Sequence, residues 1–136
     1  MNVAPCSAAH PSGRVVTTFM FEKLAVYQKA VDFADETAAL TEGFPRGYRF
    51  LVDQLNRAAL SVATNLAEGN DRSTKPDGRN YFTIARGSVH ECDPLLELAR
   101  RRGLIDEAAF VGLRERLEVM GKMISGLIGG LDKQAG

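Results

Sequence analysis

The chain is predicted to be all-α, an antiparallel up-down-up-down four-helix bundle. Three observations predict it. Apolar residues recur at alternating spacings of three and four in four separate segments. The connections between those segments are short and carry the Gly, Pro, Asn and Asp of turns. No segment shows the period of two that a strand requires. At 136 residues the chain is long enough for one domain with one core. The expected division is a loosely packed leader over 1–19, the bundle over 20–132, and a frayed end over 133–136.

The leader holds Ala, Pro, Ser and Gly without period. Met20 stands immediately before the first periodic segment and is expected to be the physiological start. The first helix is expected from Phe21 to Glu42. Leu24, Tyr27, Val31, Ala34 and Ala38 form one apolar stripe; Val26, Ala30, Phe33 and Leu40 form a second beside it. One neighbour cannot cover both. Gly43 suits a left-handed C-cap, and Pro45 prevents the helix from continuing.

The second helix is expected from Arg49 to Glu68, with Gly69 as its stop. Leu51, Leu55, Ala58, Val62 and Leu66 form its main stripe, widened by Ala59, Ala63 and Ala67. So little charge predicts that it is enclosed by the other three helices. The segment Asn70 to Asp77 is a turn, with Ser73, Thr74 or Asp77 as caps for the third helix.

The third helix is expected from Lys75 to Arg102, with Tyr81, Ile84, Ala85, Ser88, Cys92, Leu95, Leu96 and Ala99 on its core face. Gly87 is expected to permit a close helix contact, and Pro94 to kink the helix near His90. Gly103-Leu104 reads as a Schellman cap after three arginines that suit the helix dipole. Asp106 is the expected N-cap of the fourth helix. Phe110, Leu113, Leu117, Met120, Ile124, Leu127 and Leu131 line that helix, and its glycines predict fraying at the end.

Arg57, Ser61, Asn65 and Glu68 fall on one stripe of the second helix. A solvated face is the plain interpretation, but Ser and Asn are mediocre helix formers, and a solvated face more often takes Lys, Glu or Arg. Folding the second and third helices about the turn near Ser73 brings Arg57 level with Glu91 and Ser61 level with Gly87 and Ser88. The expectation is therefore an inter-helix polar layer of Arg57, Ser61, Asn65, Glu68, Ser88 and Glu91, with an Arg57–Glu91 ion pair.

Composition bounds the function. Seventeen basic and seventeen acidic residues balance to a net charge of zero, so the whole chain has no general attraction for nucleic acid. Only local clusters remain: Arg46, Arg49, Arg72, Lys75, Arg79 and Arg86 are candidate phosphate contacts, expected around the end shared by the second and third helices. No apolar run reaches the ~18–20 residues of a membrane span, and no signal-peptide core opens the chain. Cys6 and Cys92 lie in a leader and a helix, which argues against a structural disulfide. A cytoplasmic location is expected.

Catalysis finds no support. The histidines are His10 and His90. His90, Glu91 and Cys92 are adjacent helical positions that point apart instead of converging on a metal. No catalytic residue, cofactor site or metal site is expected.

The pattern Gln54-x-x-Arg57-x-x-x-Ser61-x-x-x-Asn65-x-Ala67-Glu68-Gly69, followed by Phe82-x-x-Ala85-x-Gly87-Ser88-x-x-Glu91, resembles the four helix bundle protein family, also called the S23 or 23S rRNA intervening-sequence protein family. Phe21-x-x-Leu24-x-Val26-Tyr27-x-x-Ala30 resembles that family's first helix. The leader and Pro94 depart from its pattern. The resemblance implies a non-enzymatic bundle that assembles as a ring-like homopentamer. It also implies kinship with accessory proteins of diversity-generating retroelements, basic pentamers that bind a reverse transcriptase and nucleic acid. The expected function is an oligomeric scaffold binding RNA or DNA through its basic residues, or alternatively a ring-shaped protein-interaction module that binds none.

Overall fold

A computed structural model describes residues 18–71 and 75–135. Its order is α1 (Thr18–Thr41), a 3-10 turn (Arg46–Tyr48), α2 (Arg49–Asp71), α3 (Lys75–Arg101) and α4 (Glu107–Ala135). Each helix packs against the next and α4 closes on α1, with α2 and α3 making the most extensive contact. The expected leader falls outside the described residues except for Thr18 and Phe19, which already belong to α1. Phe19 packs against the core and lies over Gly130: a β-carbon there would come within 3.0 Å of its ring. Expected to fray from residue 133, α4 extends as helix to Ala135.

The two stripes of α1 are resolved in favour of the second. Val26, Ala30, Phe33, Thr37 and Thr41 are buried, whereas Leu24 and Val31 are exposed and Tyr27 and Ala34 only partly covered. Two threonines, absent from the expected stripe, continue it to the end of the helix. Thr41 Oγ1 donates to the Thr37 carbonyl at 2.9 Å and accepts from Asn56 Nδ2 at 2.9 Å, tying the end of α1 to the start of α2. Gly43 does not adopt the left-handed conformation expected of it. The chain instead leaves α1 through tight turns, Gly43 N–H to Leu40 and Phe44 N–H to Thr41.

On α2 the expected stripe is buried together with Ala59 and Ala63. Gly69 is inside the helix and does not end it. A β-carbon at Gly69 would stand 2.5 Å from the buried Phe82 ring, so the glycine is there to let α3 approach. The expected enclosure of α2 by three helices is corrected: it packs chiefly against α1 and α3, and a third side carrying Phe50, Arg57 and Leu60 is open.

The core face of α3 is Phe82, Ala85, Ser88, Val89, Cys92, Leu96 and Ala99. Ile84, expected there, is exposed; Phe82 and Val89 take the inner positions and complete a regular three–four alternation. Asp77 lies within the first turn and so does not cap α3. The residues Ser73 and Thr74, its other candidate caps, lie outside the described residues. The helix runs unbroken through Pro94 on its exposed side. No neighbouring atom lies within 4 Å of a β-carbon built at Gly87, so within one chain this glycine serves no close helix contact.

The connection between α3 and α4 follows expectation. Leu104 N–H donates to the Ala99 carbonyl at 2.9 Å and Gly103 N–H to the Arg100 carbonyl at 3.0 Å, with Gly103 at φ +75, the two bonds of a Schellman cap. Asp106 Oδ1 accepts from Ala109 N–H at 2.8 Å as the N-cap of α4. All seven expected core residues of α4 are buried.

Candidate functional site

The expected polar layer forms in its middle and not at its edges. At the seam of α2 and α3 the Ser61 and Ser88 hydroxyls lie 2.7 Å apart in a hydrogen bond, and Asn65 Nδ2 donates to Ser61 Oγ at 3.0 Å and to the Ser61 carbonyl at 2.9 Å. Ser88 is buried, and Ser61 and Asn65 are half-buried. The pairing of Ser61 with Ser88 places the antiparallel register where the sequence predicts it. That register leaves Arg57 and Glu91 level with each other, but both are exposed and no ion pair joins them. The reason is energetic: two exposed side chains gain little from pairing in water and lose conformational freedom by it. Glu68 is likewise exposed near the end of α2, outside the buried layer.

Of the six candidate phosphate contacts, the four whose side chains are described do not gather at one end. Arg46 and Arg49 stand at the start of α2, whereas Arg79 lies in the first turns of α3, the antiparallel helix that begins beyond the other end of α2, roughly 33 Å away at 1.5 Å per residue. Arg72 and the Lys75 side chain lie outside the described residues. Arg79 is held by Asp132 on α4 at 2.7 Å, which raises the arginine's pKa and lowers the aspartate's. Arg86 donates to Ser125 Oγ on α4 at 3.2 Å. Other cations are similarly matched: Arg114 by Asp93 at 2.8 Å, Arg116 by Glu36, and Arg100 and Arg101 by Glu97, whose carboxyl is held below its ordinary range by the two guanidiniums. Five arginines are thus paired with carboxylates, which leaves fewer cations open to phosphate.

Cys92 is fully buried. Burial first, then the charges of Glu91 and Asp93, push its thiol up to about 12, so it stays protonated near neutrality and is a poor nucleophile. His90 instead borders a groove of about 480 Å³ between α3 and α4, with Asp93, Arg114, Glu118, Lys122 and Ser125 around it. Sequence reasoning did not assemble this groove, because no local motif unites residues that only the α3–α4 register brings together. Among the described residues no three metal-ligating side chains gather, and no helix is long and apolar enough to cross a membrane.

What the surface does carry is large apolar side chains in the open. Phe21 and Leu24 on α1 are 59% and 56% exposed, and Phe50 and Leu60 on α2 are 58% and 56% exposed. Sequence periodicity detects the stripe of Leu24 and Val31 as one of two on α1 that a single neighbour cannot cover.

Residues 22–126 match the family of the 23S rRNA-intervening sequence protein. The chain belongs to that family. A crystal structure of a protein with unknown function from the S23 ribosomal protein family of Bacteroides thetaiotaomicron shares the fold, with a TM-score of 0.74 at 20% identity, covering 79% of this chain and 98% of that one. No curated protein matches the chain. The matched residues run from α1 into α4 and so take in all of α2 and α3.

Proposed function

We propose that this chain is a non-enzymatic scaffold that assembles with copies of itself through its open helix faces. One observation carries the proposal. Leu24 and Val31, on the outer edge of the more regular apolar stripe of α1, are left exposed, as are Phe21 on the same helix and Phe50 and Leu60 on α2. Leaving such side chains in water forfeits about 25 cal/mol for each Å² that burial would remove, and contiguous patches of this kind mark interfaces. A closed symmetric ring covers them without leaving a free end, and a pentamer is the stoichiometry the family resemblance favours. A cytoplasmic setting belongs to the same reading.

The nucleic-acid reading draws less support. Of its described candidate contacts, Arg46 and Arg49 stand at the start of α2, away from Arg79 and Arg86 on α3, and Arg79 is already matched by an acidic partner. Fluorescence anisotropy with labelled RNA at low and moderate salt tests it; salt-sensitive binding would reinstate it. The decisive experiment for assembly is sedimentation over the micromolar range, with wild type beside Leu24→Glu and Val31→Glu. The expected outcome is an oligomer that both substitutions weaken while helix content is kept. A wild-type monomer throughout the range removes the proposal.

A further inference from the structure

We propose that Arg57 and Glu91 pair between copies of the chain, making the open side of the α2–α3 seam an interface with a second copy. This rests on the self-assembly reading and adds to it a face and its electrostatic contact. Arg57 lies one helical turn before Ser61, and Glu91 lies three residues after Ser88. Because the helices are antiparallel, both fall on the same side of the serine hydrogen bond, one on each flank of the seam. Both side chains are exposed, and neither has an ionic or hydrogen-bonding partner among the described residues. Most of the other arginines within the helices are matched; exposure explains why Arg57 and Glu91 do not pair within one chain, and their level placement asks for a second reason.

The surroundings supply one. Leu60, three residues from Arg57, and Ile84, seven from Glu91, are large apolar side chains left open. Gly87 sits between Ile84 and Glu91 with empty space where a side chain would be. A neighbouring helix can therefore settle close over the buried serines. A face that bears one cation and one anion beside apolar groups offers a complement to another copy: the guanidinium of one copy meets the carboxylate of its neighbour, a contact that can repeat around a ring. Nucleic acid is a poorer occupant, because Glu91 repels phosphate. Once covered, the pair is screened less and contributes more than it can in water.

Charge exchange tests it in the full-length protein. Arg57→Glu and Glu91→Arg are made singly, and self-association is followed by sedimentation with helix content monitored by circular dichroism. Each single variant is expected to self-associate roughly tenfold more weakly or worse, because each sets like charges against each other. An equimolar mixture of the two is expected to regain assembly, since the carboxylate introduced into one variant then meets the guanidinium introduced into the other.

If the pair acted within a chain, the mixture would stay weak while the double variant recovered; that result overturns the proposal. If wild type assembles and both single variants assemble equally well, this face is wrong and self-assembly by another face stands. If wild type itself is a monomer, the assembly reading falls, and this proposal with it.

Discussion

Thr37 is fully buried on α1, and its Oγ1 has no hydrogen-bond partner among the described residues. A buried hydroxyl without a partner costs about 1–3 kcal/mol of desolvation. Thr37→Val keeps the shape, removes the polar atom and retains the carbonyl that Thr41 uses. It is expected to stabilise the protein by about 1 kcal/mol, measured as a raised urea midpoint. Thr41→Val is the contrast, since it removes the acceptor of Asn56 and is expected to destabilise. Equal effects of the two substitutions would show that the hydroxyls are not distinguished in this way.

Cys92 gives a pH dependence of definite sign. Its thiol is raised in the folded chain from an ordinary value of 9.0 to about 12. Between those values the folded state keeps a proton that the unfolded state has lost, so the contribution is whole below pH 9 and declines as pH rises toward 12. The slope approaches about 1.4 kcal/mol per pH unit. In a Cys6→Ser background, stability should therefore fall more steeply above pH 9 with Cys92 than with Cys92→Ala. The alanine's cavity shifts its curve downward by a constant and does not tilt it. Parallel curves would contradict the burial argument.

At the scale of elements, Gly69 shows how a correct residue can be assigned the wrong role. A glycine after Glu68 fits a helix stop, yet α2 continues to Asp71 and the glycine admits the Phe82 ring. Gly69→Ala gains about 1 kcal/mol of helix propensity but overpacks a buried ring, at a cost of about 1–3 kcal/mol. A net destabilisation of up to about 2 kcal/mol is expected. In combination with Phe82→Leu the loss should be smaller than the sum, as a double-mutant cycle reads it. Features decided within one helix or one turn were legible beforehand. The α4 stripe, the Asp106 cap and the Gly103 cap depend on neighbours a few residues away. The seam register was legible because chain reversal near Ser73 fixes which residues come level. Rotation of each helix about its own axis was not. Leu24 and Val26 are equally apolar in sequence, and only the packing of α1 against α2 and α4 sets which of them is inside. The same ambiguity put Ile84 in the core face of α3 in place of Phe82, and paired Arg57 with the nearest Glu91 instead of leaving both at the surface.

At the scale of the whole molecule, open apolar groups and a net charge of zero have one joint consequence. Net charge of zero provides no long-range repulsion between copies. Association is then limited mainly by how well the apolar faces fit. An assembled state that unfolds to separate chains is stabilised by mass action, so its melting temperature rises with protein concentration. Wild type is expected to show that rise over a hundredfold dilution series. Leu24→Glu, on an exposed position that leaves the core untouched, should flatten the dependence and change the melting temperature little at the lowest concentration. The substitution thereby separates two sources of stability, the bundle's own core and the contact between bundles. A melting temperature independent of concentration in wild type would mean that the bundle bears its open faces alone, and their conspicuous apolar character would then require an occupant other than a second copy.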